Sequence, residues 1–392
     1  MLKNSTESYI GGDKWKFSDR IYLKLTGKKV KSKYNPKIFV FIKQLQGILP
    51  KKKVIGLFWS TPTFKEIDCH YLFHVYDKSK VDYVISTSSA NTVESMARTI
   101  KKYNQESHKN IKAILLVPEL SSYKVAKSAI DDNPYINYIV LKNSTLDSIR
   151  EFAVKLEEKI SKNYSVVSAN ADLKTAAYAQ MGFVLNNFNL MNENTCFVQT
   201  VSGGVGPVGI IESAYQLNVT PEILVIQPVN GKSTPIIDAL NEHSCGKDPL
   251  SIFEERNYET SSIETTLGST KPIYAIKKFI KWRENGGRIL ASQITREDLF
   301  QNKDFILDVL VGAGIYPNNE IGMKLFELEK SGFMAFIGVI KSANQINSKN
   351  IVINFTGRYL NNHSSIPIPA KPHVLFNPSN GIEELLNILK IK

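Results

Sequence analysis

The chain has 392 residues, 43% apolar and 22% charged, enough to bury a large core and long enough to suggest two domains. Its three cysteines, Cys69, Cys196 and Cys245, are far apart and form no CxxC pair, which excludes a disulfide framework or a zinc ribbon. The net charge of +12 is spread along the chain, and the densest runs, at 28–33 and 51–53, are short, so it reads as a solvated basic surface rather than a nucleic-acid footprint. No apolar run reaches bilayer-spanning length, and the polar start MLKNSTESYIGGDKWK lacks a signal-peptide core, so a cytoplasmic protein with no membrane partner is expected.

Residues 1–50 are mixed and poorly periodic. Beyond them, short β-rich runs alternate with amphipathic helical patterns. Residues 53–58 (KVIGLF) predict a strand and 63–76 a helix. Strands at 81–86 and 113–117 precede helices at 92–103 and 122–130. A strand at 138–141 precedes a helix at 145–160, and one at 195–201 a helix at 208–217. Further strands fall at 223–227 and 351–355 (IVINF). Strands apolar throughout, alternating with helices, imply an α/β protein with mainly parallel sheets.

Four segments can carry chemistry. In STPTFKEIDCH, Thr63 and Glu66 have capping-box spacing, which puts Lys65 in the first turn of a helix. A cation is disfavoured there, so the neutral, nucleophilic amine is favoured; an ordinary surface lysine fits the local pattern as well. His70 and His74 share a spacing of four but lack the carboxylate of a zinc-binding helix, and are read as non-metal residues. In ISTSSANTVES, a strand ends in hydroxyl residues and Asn91 opens a helix, a junction that suits a carboxylate or a simple N-cap. In TVSGGVGPVG, a strand runs through Ser202, Gly203, Gly204, Val205 and Gly206 into a helix, with Pro207 suited to its first position. Gly204, Gly206 and Gly209 also satisfy GxGxxG, but the next strand ends in Gln227-Pro228 rather than the acid that would hold a ribose, which leaves a plain phosphate cup. Finally, NIVINFTG brings Thr356 and Gly357 to the carboxyl end of a strand, where ligands of open α/β sheets gather.

In this order and spacing, over residues 55 to 360, the four segments resemble the tryptophan-synthase-β group of pyridoxal-phosphate enzymes (fold type II), closest to threonine synthase and cysteate synthase. TPTFKEID is similar to that group's lysine segment, SSANT to its SSGNT or SAGNT loop, SGGVG to its phosphate cup and FTG to the segment facing the pyridine nitrogen. LLVPE (115–119) and GIYPNNE (314–320) also have counterparts. The resemblance implies two α/β domains with pyridoxal 5'-phosphate between them: residues 1–79 and 194–392 as the large domain, 80–193 as the small one. It implies Lys65 as the catalytic, cofactor-holding lysine, Asn91 on the cofactor's phenolic oxygen, Ser202, Gly203, Gly204, Val205 and Gly206 around the phosphate, and Thr356 at the pyridine nitrogen. Ser88, Ser89, Ala90 and Thr92 take the substrate carboxylate. No metal site is implied.

Three departures modify this picture. Ala90 replaces a glycine, and Val205 stands where a hydroxyl residue is common. SANADLKT (168–175) lacks the arginine with which relatives hold a leaving phosphate; Lys124, Lys127 or Lys174 can take that place, and Lys124 is the candidate substrate-binding residue. The implied reaction is β- or γ-replacement, or elimination, on an amino acid with an activated leaving group such as O-phosphoserine or O-phosphohomoserine, catalysed by a homodimer in amino-acid biosynthesis. A nucleotide-binding Rossmann-type oxidoreductase and a catalytically inactive relative are the alternatives.

Overall fold

The computed structural model describes residues 38–42, 49, 51–59, 65–76, 80–88, 90–229, 233–261, 263–313, 315–356 and 368–391; the side chains of 38–42, 58, 59 and 74 are not among them. Thr63, Ser89, Gly314 and Gly357, all named above, lie outside the described residues. Eleven strands appear among the described residues: β1 Ile38–Ile42, β2 Lys53–Trp59, β3 Tyr83–Thr87, β4 Lys112–Pro118, β5 Ile136–Leu141, β6 Val166–Ser168, β7 Thr195–Thr200, β8 Glu222–Pro228, β9 Ile289–Ile294, β10 Asn350–Asn354 and β11 Val374–Phe376. They form two sheets, ordered β1-β2-β10-β7-β8-β9 and β11-β5-β4-β3-β6. Every pair is parallel except β1 with β2.

Parallel sheets need cover on both faces, and the strands show it. β7 and β8 are buried at every position, so polar and apolar residues do not alternate along them. In the larger sheet, Val198, Leu224, Ile351 and Ile353 pack with Ile306, Leu310, Phe333 and Phe336 of the covering helices. In the smaller, Ile85, Ile114, Leu116 and Ile139 pack with Ile149 and Leu156. The Leu146–Ile160 helix shows why the predicted elements form: Thr145 and Ser148 make a reciprocal capping box, and Leu146, Ile149, Ala153, Leu156 and Ile160 make one buried stripe.

The chain divides into two compact units, 1–64 with 171–366 and 65–170 with 367–392. These bounds differ from the boundaries expected in sequence. The Glu66–Val75 helix packs on the Asn91–Ser107 helix, with Cys69 Sγ directed at the Thr92 carbonyl at 3.7 Å, and so goes with the smaller unit. The Ala171–Asn187 helix goes with the larger, because it packs closely on the Val205–Leu217 helix: a methyl at Gly182 would collide with Ser213 Oγ. The C-terminal β11 pairs with β5, returning the end of the chain to the smaller sheet. The helix expected at 122–130 is two short ones, Glu119–Ser122 and Lys127–Ile130, separated by residues 123–126.

The second glycine contact of this helix pair is the tighter test. A methyl on Gly209 would stand 2.7 Å from the Tyr178 carbonyl carbon and 2.8 Å from the Ala179 nitrogen, backbone atoms that cannot rotate away. Gly209→Ala should therefore destabilise the protein by about 2 kcal/mol, the usual scale for overpacking. Urea denaturation followed by circular dichroism should show a lower midpoint; an unchanged midpoint would contradict the packing.

Candidate active site

The smaller unit carries Lys65 and the hydroxyl loop. Lys65 is half-buried and is the N-cap of the Glu66–Val75 helix, with helical backbone angles (φ −65, ψ −15), one position ahead of the expected first turn. Its carbonyl accepts the Cys69 N–H at 3.4 Å. Thr63, the capping partner expected in sequence, lies outside the described residues; Glu66 itself is buried. Its carboxylate lies 3.0 Å from Arg98 Nε and 3.9 Å from His70 Nε2. Burial pushes the Glu66 carboxyl above the usual carboxylate range, and Arg98 opposes the rise. Arg98 Nη1 also lies 3.4 Å from Glu94, so one guanidinium ties the helix headed by Lys65 to the helix headed by Asn91.

Asn91 is the first residue of its helix rather than its cap. Ala90 holds the cap position, with no side-chain cap bond and φ 153, a region glycine enters freely and other residues rarely do. The expected departure at Ala90 is thus a place of backbone strain, on the order of 1–3 kcal/mol. The Ser88 N–H donates to the Leu116 carbonyl at 3.2 Å, and Thr92 is buried. Thr87 pairs with Leu116, so the segment after β3 and the segment after β4 share one carboxyl edge. Lys124 is on the second of these segments. It is 4% exposed, with its ammonium 5.7 Å from the Tyr123 ring centroid. The segment is hung from the fully buried Glu94, whose carboxylate accepts the Ala126 N–H. The other two lysines differ: Lys127 is exposed and ion-paired with Asp131 at 3.5 Å, and Lys174 belongs to the Ala171–Asn187 helix of the larger unit.

The larger unit carries the glycine loop and Thr356. β10 and β7 are parallel neighbours, so Thr356, after β10, and residues 202–206, after β7, leave the sheet at the same edge. The helix begins at Val205, which places Pro207 at the third helical position instead of the first; an N–H is dispensable there too. Gly204 is the N-cap with φ 71, and a methyl on it would lie 2.6 Å from Ala275 Cβ, so only glycine fits. The Ser202 hydroxyl accepts the Ser269 N–H at 3.0 Å, which pins the loop to a second segment. Thr200 Oγ1, just before the loop, is buried without a hydrogen-bond partner. The first N–H groups of the Val205–Leu217 helix have no acceptor within the helix, and the macrodipole adds positive potential. This geometry suits a phosphate.

The competing use of GxGxxG has an answer in β8. Gln227, in the ribose-acid position, is buried, and its carboxamide oxygen accepts the N–H groups of Ile236 (3.1 Å) and Ile237 (3.2 Å). It caps a neighbouring helix and offers no carboxylate. In the GIYPNNE segment, Tyr316 is a buried core ring, and Asn318 caps the Asn319–Leu328 helix by accepting the Ile321 N–H at 2.9 Å. Arg98 and Ser269 carry no motif in sequence; only the fold reveals their contacts, and that of Glu94 with Ala126.

The sequence matches no protein-family model and no curated protein. Solved structures are similar in fold. Maize serine racemase aligns with a TM-score of 0.57 at 14% identity, covering 90% of this chain and 96% of its own. The processed form of threonine deaminase isoform 2 from Solanum lycopersicum aligns at 0.57 and 14%, covering 99% and 94%. A pyridoxal 5'-phosphate-dependent aspartate racemase aligns at 0.53 and 13%, covering 90% and 97%. The chain thus has the two-sheet parallel α/β fold of these proteins, fold type II. No helix among the described residues is long and apolar enough to cross a membrane.

Removing Arg98 should expose the electrostatics of this region. With Arg98→Met, Glu66 stays buried without its cation, and the loss should be about 2–3 kcal/mol near pH 7.5. Glu66 then binds its proton more readily in the folded than in the unfolded chain, so the deficit relative to the parent should shrink as pH falls towards 5. Denaturant titrations at both pH values check this; a pH-independent deficit would contradict the pairing.

Proposed function

We propose that this protein is a pyridoxal-phosphate-dependent enzyme acting on an amino acid, with Lys65 as its catalytic lysine. The observation that carries the proposal is the phosphate-type cradle at residues 202–206, in a chain whose lysine, hydroxyl-loop and Thr356 segments occur in the order of such enzymes. The fold shared with racemases and a deaminase supports the reading, one of them pyridoxal 5'-phosphate-dependent by its own description.

The residues fit the cofactor. Gly204 leaves no room for a side chain beside Ala275, and Thr200, at the end of the strand leading into the cup, has an unpartnered buried hydroxyl. With Val205 apolar, the N–H groups of Gly203, Gly204, Val205 and Gly206 hold the phosphate, assisted by Ser202. Thr356 would face the pyridine nitrogen, and Asn91 would serve the phenolic oxygen. The bound cofactor supplies the electron sink for chemistry at the amino acid's α-carbon. Lys65 would hold the cofactor, and its free amine would take the substrate's α-proton as general base. Ser88, Ser89, Ala90 and Thr92 orient the substrate carboxylate through hydroxyls and backbone N–H groups.

The reaction we favour is replacement at the β- or γ-carbon, as in threonine synthase and cysteate synthase, with elimination as the shorter outcome of the same first steps. Lys124 serves an anionic leaving group, since it is the buried one of the three candidate lysines and follows β4 beside the hydroxyl loop. The protein acts as a cytoplasmic homodimer in amino-acid biosynthesis.

Purified protein loaded with the cofactor should show a visible band that shifts on titration with one O-substituted serine or homoserine. Coupled assays separate the outcomes: a new amino acid with an added nucleophile means replacement, a keto acid elimination, and inverted α-carbon alone racemisation. Lys65→Ala should lose the visible band and at least a thousandfold in rate, a loss typical of a removed general base. Full activity in Lys65→Ala would refute the assignment.

A further inference from the structure

We infer that Gln199 is a positioning residue that fixes the phosphate cup to the strand carrying Thr356; the inference rests on the cofactor reading above. Gln199 is the penultimate residue of β7, three before Ser202, and it is buried. Its carboxamide stands against Gly206, the second residue of the cup helix. A methyl on Gly206 would lie 2.5 Å from Gln199 Nε2, 2.6 Å from Oε1 and 2.9 Å from Cδ, so the amide tip as a whole occupies the space above that glycine.

A side-chain tip ordinarily swings aside at small cost, but this one is held. Asn354 Nδ2 donates to Gln199 Oε1 at 2.9 Å and also approaches Met181 Sδ at 3.6 Å. Asn354 ends β10 and is fully buried. Asn354 stands two residues before Thr356, at the end of the strand that leads to it. One carboxamide therefore touches the first turn of the cup helix and is hydrogen-bonded to the strand end that delivers Thr356.

This matters more here than in a cup lined with hydroxyl side chains. The Val205 side chain contributes no donor, and the Ser202 hydroxyl is already the acceptor of the Ser269 N–H. Phosphate affinity then depends on where the first-turn N–H groups point, and the Gly206–Gln199 contact sets that direction. The same contact explains why the second glycine of GxGxxG is present although no dinucleotide acid accompanies it.

The test compares pyridoxal 5'-phosphate with pyridoxal, which lacks the phosphate, by equilibrium titration of the full-length chain freed of cofactor. Gln199→Met keeps the volume and removes the amide. It should weaken pyridoxal 5'-phosphate about tenfold, the scale of one well-placed hydrogen bond, and change pyridoxal less than twofold. The 31P resonance of the bound cofactor should move. Asn354→Leu should have the same selective effect, and the double variant should be no worse than either single one, because both act through one bond. Should Gln199→Met fail to fold, Gly206→Ala approaches the contact from the cup side and must show the same selectivity. Equal weakening of both ligands, or unchanged affinities in a variant of a cofactor-binding parent, would overturn the positioning role alone. A parent chain that binds neither ligand would overturn the functional reading and this inference with it.

Discussion

The insertion of β10 between β2 and β7 is the pairing on which the larger unit depends. Val352 sits opposite Ile55 on one side and Phe197 on the other, so a strand near residue 350 closes a sheet begun near residue 53. Such non-local parallel pairing is slow to form and is rewarded only when the whole sheet is covered. Its consequence is chemical as well as structural. It sets the carboxyl ends of β7 and β10 side by side, and with them the glycine loop and Thr356. The Gln199–Asn354 hydrogen bond crosses that same seam.

The smaller unit solves a different problem, that of giving buried carboxylates on two helices their partners. Glu94 takes a backbone N–H from Ala126 and faces Arg98, while Glu66 takes the other edge of the same guanidinium. A buried ion cluster is a costly way to hold two helices together. What it provides here is registry: the helix starting after Lys65 and the helix starting at Asn91 are locked through their first two turns. The strain stored at Ala90 lies at the head of that second helix, in the loop assigned to the substrate carboxylate.

Much of this was legible in the amino-acid order. KVIGLF, AILLV and IVINF read as buried strands because parallel strands carry no polar face, and the structure has them within a residue or so. The glycine loop was readable because Gly204 must adopt positive φ. Other parts left no local trace. The Ala171–Asn187 helix is buried on nearly every side, so it has no apolar stripe to announce it. β6 and β11 have three residues each, too short for any period. The unit boundaries followed helix packing and the β11–β5 pairing, not composition. Gln199 and Arg98 were invisible as site residues, because a polar residue in a strand or on a helix acquires its role only from the neighbour the fold assigns.

The central claim is that one particular lysine among the chain's 49 lysines and arginines carries the cofactor. Borohydride reduction of the protein with pyridoxal 5'-phosphate makes that bond permanent, and peptide mass mapping then locates it. The account predicts a single pyridoxyl group on Lys65, with one equivalent per chain. A group on any other lysine, or an unmodified Lys65 peptide recovered in full, would contradict it.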